Sequence, residues 1–209
     1  KIDADPAGQL RVQIKLPLID PEGKIWARML MDDAGKNRGH CFWPEIDDEV
    51  VVGFMNDDPR YPVILGLLYN KKSTPPITAD NKNNQKGIYT RTGIKVLFSD
   101  EDGKQTLELV TPGGNSILID DGAKGMKLKD QNGNKIVLSA SGIEINSAKE
   151  IKITAANNLT ATSSGGDVAI NGVNIKNAAQ AKFSANGNAG LDLQTSANAV
   201  LKGSIVQIN

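Results

Sequence analysis

One histidine and one cysteine stand side by side in this sequence of 209 residues, as His40 and Cys41. A cysteine nucleophile needs a base within hydrogen-bond reach of its sulfur. Neighbours on an extended chain point to opposite faces, which argues against such a pair here. We expect Cys41 to help fill the core and His40 to be exposed. Because a zinc site needs three or four ligands, no metal site is predicted within one chain, and an ion held by three copies of one residue on a trimer axis stays open. No cofactor is predicted.

Paired carboxylates are the second arrangement that could do chemistry, because two carboxyl groups flanking a bond can hydrolyse glycosides. The glycines Gly113-Gly114 lack the Gly-Lys-Ser/Thr of a phosphate-binding loop. Every acid pair falls among turn-forming residues, where aspartate satisfies local backbone groups. The sequence therefore predicts that the protein is not an enzyme. The pairs are Asp32/Asp33, Asp47/Asp48, Asp57/Asp58 and Asp120/Asp121.

Aromatic side chains that could stack on nucleic-acid bases are few. Proteins that bind single strands combine such side chains with a basic groove. Lysine plus arginine and aspartate plus glutamate each number 24, so the formal net charge is +0. Nucleic acid is therefore not predicted as a partner. The candidate aromatics are Trp26, Phe42, Trp43 and Tyr61.

The two halves of the chain differ in composition. All but one of the nine prolines lie within the first 76 residues, and Phe183 is the only aromatic after Phe98. The later part is rich in Asn, Ser, Ala, Thr and Gly. We predict an all-β protein in which residues 1–72 form a small barrel domain, 73–90 a linker and 91–209 a repetitive needle.

The first segment has the pattern of short strands separated by turns. Leu10, Val12 and Ile14 alternate with polar residues, which is typical of a half-buried strand. Further strands are predicted at 25–31, 50–55 and 63–68, with a polar loop at 32–40. Strands at this spacing favour a small closed barrel of the OB type.

The second segment repeats a short unit of two or three alternating apolar residues every eight to ten residues, with Gly, Asn or Asp between units. A single ribbon of such units buries nothing, and ordering each residue costs about 1–2 kcal/mol. The ribbon must therefore close on itself as a solenoid or wrap around copies of itself. Short units with small or β-branched side chains favour a thin prism of three chains, and the single-chain solenoid stays open.

Four stretches of the first 70 residues form a recognisable pattern, namely Asp5–Val12, Trp26–Arg28, Pro44–Phe54 and Asp57–Gly66, the last followed by Tyr69-Asn70. In order and spacing they resemble the OB-fold domain of VgrG-type spike proteins of type VI secretion and related phage-baseplate spikes. Asp47 stands where that family often has glycine, a position that aspartate tolerates if φ is positive. The resemblance continues, more loosely, into the repetitive tail.

The resemblance implies an N-terminal OB-fold barrel followed by a C-terminal intertwined trimeric β-helix, or β-prism needle. It also implies a structural, membrane-puncturing central spike of a contractile injection machine, preceded in the family by a barrel-like hub that this sequence lacks. A receptor- or carbohydrate-binding tail spike is the alternative. An enzyme on a β-helix is disfavoured because acids are scarce after residue 150.

The implied partners are two further copies of the chain, tube or baseplate proteins, and a PAAR-repeat-like tip protein. The target membrane would be contacted mechanically. No signal peptide is apparent, so we expect assembly in the bacterial cytoplasm before export or delivery to a target envelope. The tip protein or effector would sit on the apolar C-terminal end, at Ile205, Val206, Gln207, Ile208 and Asn209.

Overall fold

The computed structural model describes residues 5–208, except for the side chains of Asp20 and Glu22. The chain divides into two units, Lys1–Ile151 and Lys152–Asn209. The regular structure of the described residues is almost entirely β-strand, with one short 3₁₀ turn at Met55–Asp57. Within this range, no helix is long and apolar enough to cross a membrane.

The first sheet has four strands in the order β1-β2-β6-β5. Its strands β1 and β2 are antiparallel, as are β5 and β6, whereas β2 and β6 run parallel. Alternate residues of β1 face inward because successive side chains of a strand point to opposite faces. The strands are β1 (Val12–Leu16), β2 (Asp20–Met29), β5 (Glu49–Phe54) and β6 (Pro62–Leu68). The buried core side chains are Val12, Ile14, Ala27 and Ile64.

Two details of the first segment differ from the sequence predictions. The loop predicted at 32–40 contains a small hairpin, β3 (Ala34–Gly35) paired with β4 (Arg38–Gly39). Cys41 is exposed, so the prediction that it fills the core is wrong. Cys41 follows this hairpin outside the sheet, and β1, β2 and β6 supply the core without it.

The second sheet is a meander of seven strands in the order β13-β12-β11-β10-β9-β8-β7, so each strand pairs with its neighbours in sequence. Strand β7 begins at Gln85, inside the predicted linker 73–90. Its segment carries no apolar alternation, and the pairing with β8 defines it. The strands are β7 (Gln85–Tyr89), β8 (Lys95–Ser99), β9 (Thr106–Val110), β10 (Ser116–Asp120), β11 (Gly125–Lys129), β12 (Lys135–Ser139) and β13 (Gly142–Asn146).

One type of turn recurs at the same end of the strands, where it joins β7 to β8, β9 to β10 and β11 to β12. In each copy a glycine N–H donates to the carbonyl oxygen three residues earlier, and the glycine has φ near +90°, a conformation that other residues rarely adopt. The carbonyl oxygen of the residue after the glycine accepts a hydrogen bond from the N–H of the first residue of the turn, which closes the loop. The three glycines are Gly93, Gly114 and Gly133, with φ of 91°, 89° and 91°.

The second unit has no strand within its described residues. The repeats predicted from Ile151 onward are present as segments separated by bends, and these segments have no ladder partner in the chain. The bends fall eight residues apart, in agreement with the repeat length read from the sequence. They lie at Asn157, Gly165, Val173, Ala181, Ala189 and Ala197.

A charged turn leads into β1. The Asp5 carboxylate accepts hydrogen bonds from the backbone N–H groups of Ala7, Gln9 and Arg11, and its Oδ1 lies 2.7 Å from Arg11 Nη2. The Arg11 guanidinium, with these backbone donors, holds the pKa of Asp5 far below its usual value. The turn therefore stabilises the start of β1 through an ionised carboxylate.

We predict that Asp5→Asn lowers the melting temperature of the chain at pH 7. The pKa of Asp5 is depressed in the folded state, so its contribution is complete above the unfolded pKa and is lost as pH falls toward the folded pKa. The difference in melting temperature between the two chains should therefore shrink on acidification from pH 5 downward. Thermal denaturation followed by circular dichroism across pH measures it.

The control is Asp102→Asn, which changes an exposed carboxylate in the turn between β8 and β9. A gap between Asp5→Asn and the unsubstituted chain that stays constant down to pH 2 would contradict the assigned role of the carboxylate.

Candidate functional site

One face of the seven-stranded sheet is apolar along its whole length. The register pairs Val96 with Leu109, Leu109 with Ile117 and Ile117 with Leu128, so these side chains form a continuous row. A second row runs parallel to it, two residues away on each strand. The face comprises Ile88, Val96, Phe98, Leu107, Leu109, Ile117, Ile119, Met126, Leu128, Ile136, Leu138, Ile143 and Ile145, with Lys86 at its start.

This face is uncovered in the single chain. Leu128 is 38% exposed, and exposure rises to 70% at Ile143 near the last strand. A concave groove of about 650 Å³ runs along the row from Val96 to Ile145. Contiguous exposed apolar surface of this kind marks an interaction site. The face is therefore the candidate functional surface of the first unit.

The opposite face of the same sheet carries charge. Glu108, Lys127 and Glu144 alternate across the strands with Leu118 and Val137. Lys135 Nζ lies 3.7 Å from Glu144 Oε2, between two largely exposed side chains. Interspersed charges of both signs are typical of a solvated surface, so the two faces of the sheet have different roles.

Asparagines at the recurring turns tie neighbouring loops together. Asn115 Oδ1 accepts a hydrogen bond from the N–H of Gln131 in the next turn, at 3.2 Å. Asn134, at the equivalent place one hairpin later, accepts from the N–H of Ala148 at 3.0 Å and from the Ser147 hydroxyl. These hydrogen bonds fix the loops on this side of the apolar groove relative to one another.

Asp130 opens the third of these turns. Burial raises the pKa of its carboxyl group, but hydrogen bonds from Asn134 and Asn132 outweigh that effect and leave the pKa below its usual value. The group is therefore an ionised acceptor for the turn. It has the structural role that aspartate has in loops, and no substrate-facing role is needed to explain it.

The second unit presents its apolar side chains to solvent. Ile153 and Leu159 are 68% and 69% exposed, and Leu193 is 85% exposed. Each hydrogen bond found within its described residues involves a side chain; for example, the backbone N–H of Gly166 donates to Ser163 Oγ. Unpaired backbone groups and apolar side chains together indicate that other polypeptide must complete this unit.

The predicted tip-binding residues lie at the end of this unit. Ile205 is 80% exposed, Val206 47% and Ile208 88%, and Gln207 is also exposed. Asn209 lies outside the described residues. The four described residues form an accessible terminal segment in the single chain.

Residues considered for catalysis or metal binding do not assemble into a site. His40 Nδ1 lies 3.5 Å from Asp32 Oδ2, and both side chains are exposed. Across residues 5–208, no group of three His, Cys, Asp or Glu side chains could hold a metal ion. The acid pairs lie in or beside turns, as predicted. Asp47 has φ of 72°, the left-handed conformation that aspartate tolerates where related proteins often have glycine.

The aromatics considered for base stacking are scattered. Trp26 is half-buried on β2, whereas Phe42 and Tyr61 are each 58% exposed and Trp43 is 39% exposed. The Arg60 guanidinium lies 5.8 Å from the centre of the Tyr61 ring and pairs with Asp58 at 2.7 Å. The Asp58 carboxylate neutralises the cation nearest to this ring.

The apolar units are evident from the sequence, but the hydrogen bonds by which asparagine side chains link neighbouring turns are not. The signal was present, because Thr90-Arg91-Thr92-Gly93, Thr111-Pro112-Gly113-Gly114 and Asp130-Gln131-Asn132-Gly133 share one pattern. Only the register shows that Asn115 and Asn134, which follow the second and third of these tetrads, reach the next loop.

We predict that Leu128→Gln disrupts self-association, whereas Lys127→Gln, its neighbour on the opposite face of β11, does not. Leu128→Gln loses about 1.5–3 kcal/mol of apolar burial per copy and leaves an unpaired amide costing about 1–3 kcal/mol. Light scattering coupled to size exclusion should show a lower mass or aggregation for Leu128→Gln only. Equal masses for the two variants would show that the apolar face is not the interface.

Two family models match the chain. The type VI secretion system/phage-baseplate injector OB domain matches residues 1–69. The phage baseplate V C-terminal trimerisation domain matches residues 106–209. The first match confirms the OB prediction for the four-stranded sheet. The second covers most of the apolar face and all of the second unit, and supports assembly as a homotrimer.

Curated relatives agree with these matches. A 93-residue segment is 33% identical to the actin cross-linking toxin VgrG1 of Vibrio cholerae, over 42% of this chain and 8% of the relative. Pseudomonas aeruginosa has the type VI secretion system spike protein VgrG1b, which is 37% identical over 95 residues, or 44% of this chain and 13% of the relative.

The spike protein VgrG1a of the same bacterium is 32% identical over 95 residues, covering 44% of this chain and 15% of the relative. The matched regions thus span only 8 to 15% of the length of these three relatives. The OB match, the trimerisation match and these relatives lead to one assignment. The chain belongs to the family of type VI secretion and phage-baseplate spike proteins, and it is an all-β chain with an OB-fold barrel followed by a trimeric β-prism domain.

Proposed function

We propose that this chain is part of the membrane-puncturing central spike of a contractile injection machine, and that it carries a tip protein or effector at its C-terminal end. The apolar sheet face that a single chain leaves uncovered is the observation on which the proposal rests. A rigid trimeric rod needs such a face on each copy, directed toward a shared axis. The trimerisation match over residues 106–209 supports that arrangement.

The energetics favour three copies over one. Fully burying an exposed aliphatic side chain contributes about 1.5–3 kcal/mol, and each of the thirteen on this face gains the part of that amount that corresponds to its remaining exposed surface. Backbone groups of the second unit would gain hydrogen-bond partners in the same step, so that folding and assembly of this unit become a single event.

The mechanical role follows from closing strand edges. When every edge is paired between copies, the rod has no free strand at which unfolding begins, and unfolding becomes slow. Such a rod transmits axial force to a membrane without binding it chemically. No catalytic group is needed for this role, and the spike names of the Pseudomonas relatives are in keeping with a non-enzymatic function.

The proposal also covers the tube or baseplate partners and the division of the chain into a barrel domain, a linker and a needle. Residues 1–72 would organise the base of the trimer and contact tube or baseplate proteins. The needle would extend from about residue 91, and the machine would assemble in the bacterial cytoplasm before export. The names of the relatives, which are spike proteins of a type VI secretion system, support the export part of this proposal.

We expect the purified chain to have the mass of three copies by light scattering coupled to size exclusion. The same sample should resist SDS without heating and dissociate on boiling, because intertwined chains separate only by unfolding. A Lys127→Gln sample serves as the matched control, because it changes the charged face of β11 and should keep both the trimer mass and the resistance to SDS. A monomeric mass would overturn the spike proposal.

We expect a chain that ends at Lys202 to remain trimeric and to lose capture of a PAAR-repeat tip protein. The exposed segment Ile205–Ile208 supplies the apolar end surface that would receive the tip. A pull-down with a tagged PAAR protein compares this chain with the complete one. Undiminished capture by the shortened trimer would place the tip site elsewhere.

A further inference from the structure

Strand β11 of the seven-stranded sheet has opposite charges at its two ends. At the glycine-turn end, Lys129 of β11 and Lys135 of β12 lie directly opposite each other. At the other end, β10 stops at Asp120 and the turn into β11 begins with Asp121. These two pairs of side chains are the basic end and the acidic end of this part of the sheet.

Two side chains of the other sign lie beside these pairs without cancelling them. Asp130 follows Lys129, and its carboxylate accepts four hydrogen bonds from Asn132 and Asn134 of its own turn. Lys124 is a single cation in the turn that carries the two aspartates. The acidic end therefore keeps more negative than positive charge, and the basic end has the reverse balance.

Neither end is neutralised within the chain. Across residues 5–208, Lys129 and Asp121 have no ion-pair partner, and the nearest carboxylate oxygen to Lys135 Nζ is that of Glu144 at 3.7 Å. A strand of five residues is about 16 Å long, about twice the screening length of about 8 Å in physiological salt. Like charges directly opposite each other, as at Lys129 and Lys135, are also unfavourable. Both ends therefore need charges from another molecule.

A three-fold assembly brings the two ends together. Seven strands about 4.8 Å apart span about 29 Å, nearly twice the length of one strand, so the long dimension of the sheet follows the axis of a rod. The strands then run around that axis, and their ends meet the strand ends of the next copy. A rotation without translation brings the start of β11 in one copy to the end of β11 in the next, at the same height. The acidic end of one copy thus faces the basic end of its neighbour.

We propose that the basic end, Lys129 and Lys135, of one copy forms ion pairs with the acidic end, Asp120 and Asp121, of the next copy, three times around the axis. The apolar rows repeat from strand to strand, so apolar contact alone would allow one copy to slide along another. Complementary charges at one height fix that register. The inference rests on the trimeric assembly within the proposed function, and it adds which surfaces of two copies meet and in which order.

Charge reversal at each end of β11 tests the proposal. Lys129→Glu and Asp121→Lys should each lower the melting temperature of the trimer by about 2–4 °C at low salt, and a chain with both substitutions should recover it. Lys127→Glu is the matched control, because it makes the same charge change on the charged face of the same strand, away from its ends. Within a single chain, Lys129→Glu would instead relieve the repulsion from Lys135 and raise the melting temperature. The sign of the shift therefore separates contacts between copies from contacts within one chain.

Native mass spectrometry of the two single variants refolded together gives a second readout. Mixed trimers should exceed the statistical ratio, because the reversed end of one chain then faces the oppositely reversed end of the other. Statistical mixing, with melting temperatures unchanged from those of a trimeric unsubstituted chain, would overturn this inference and leave the spike proposal standing. A monomeric unsubstituted chain would overturn both.

Discussion

Thirteen apolar side chains project from one face of the seven-stranded sheet, and ten of them are at least 36% exposed in the single chain. A meander of this kind has no second layer of its own, because each strand pairs only with its sequence neighbours. Burial must come from other copies. The charged opposite face, the repeated turns and the unpartnered second unit are all consistent with that requirement.

The turns are what make the apolar face continuous. A slip of one residue at any hairpin would rotate all later apolar side chains to the charged face. The recurring glycine with positive φ fixes the loop length, Asn115 joins the second loop to the third, and Asn134 joins the third to the segment after β13. Local hydrogen bonds in the turns therefore maintain the strand register that keeps the apolar face continuous. Asp5 has a comparable role at β1, where one carboxylate fixes a turn of several residues.

Alternation and turn residues predicted much of the fold. The strands predicted at 50–55 and 63–68 lie within one residue of β5 and β6, and the bends after Ile151 recur within the predicted spacing of eight to ten residues. Alternation could not reveal β7, because that strand is defined by its partner rather than by its own side chains. Burial of Cys41 was predicted wrongly because a residue type carries an average tendency and not a position. The links made by Asn115 and Asn134 depend on register, which one sequence does not display.

The meander also constrains how such a sheet changes in length. Every recurring glycine turn lies at the same end of the strands. The unit that can be added or removed is therefore a whole hairpin with its two strands. One hairpin extends a sheet by about 10 Å and leaves the direction of the following chain unchanged. Loss of a single strand would instead reverse the direction of the following chain and place the next turn at the opposite end of the strands. Related sheets are therefore expected to differ in length by whole hairpins.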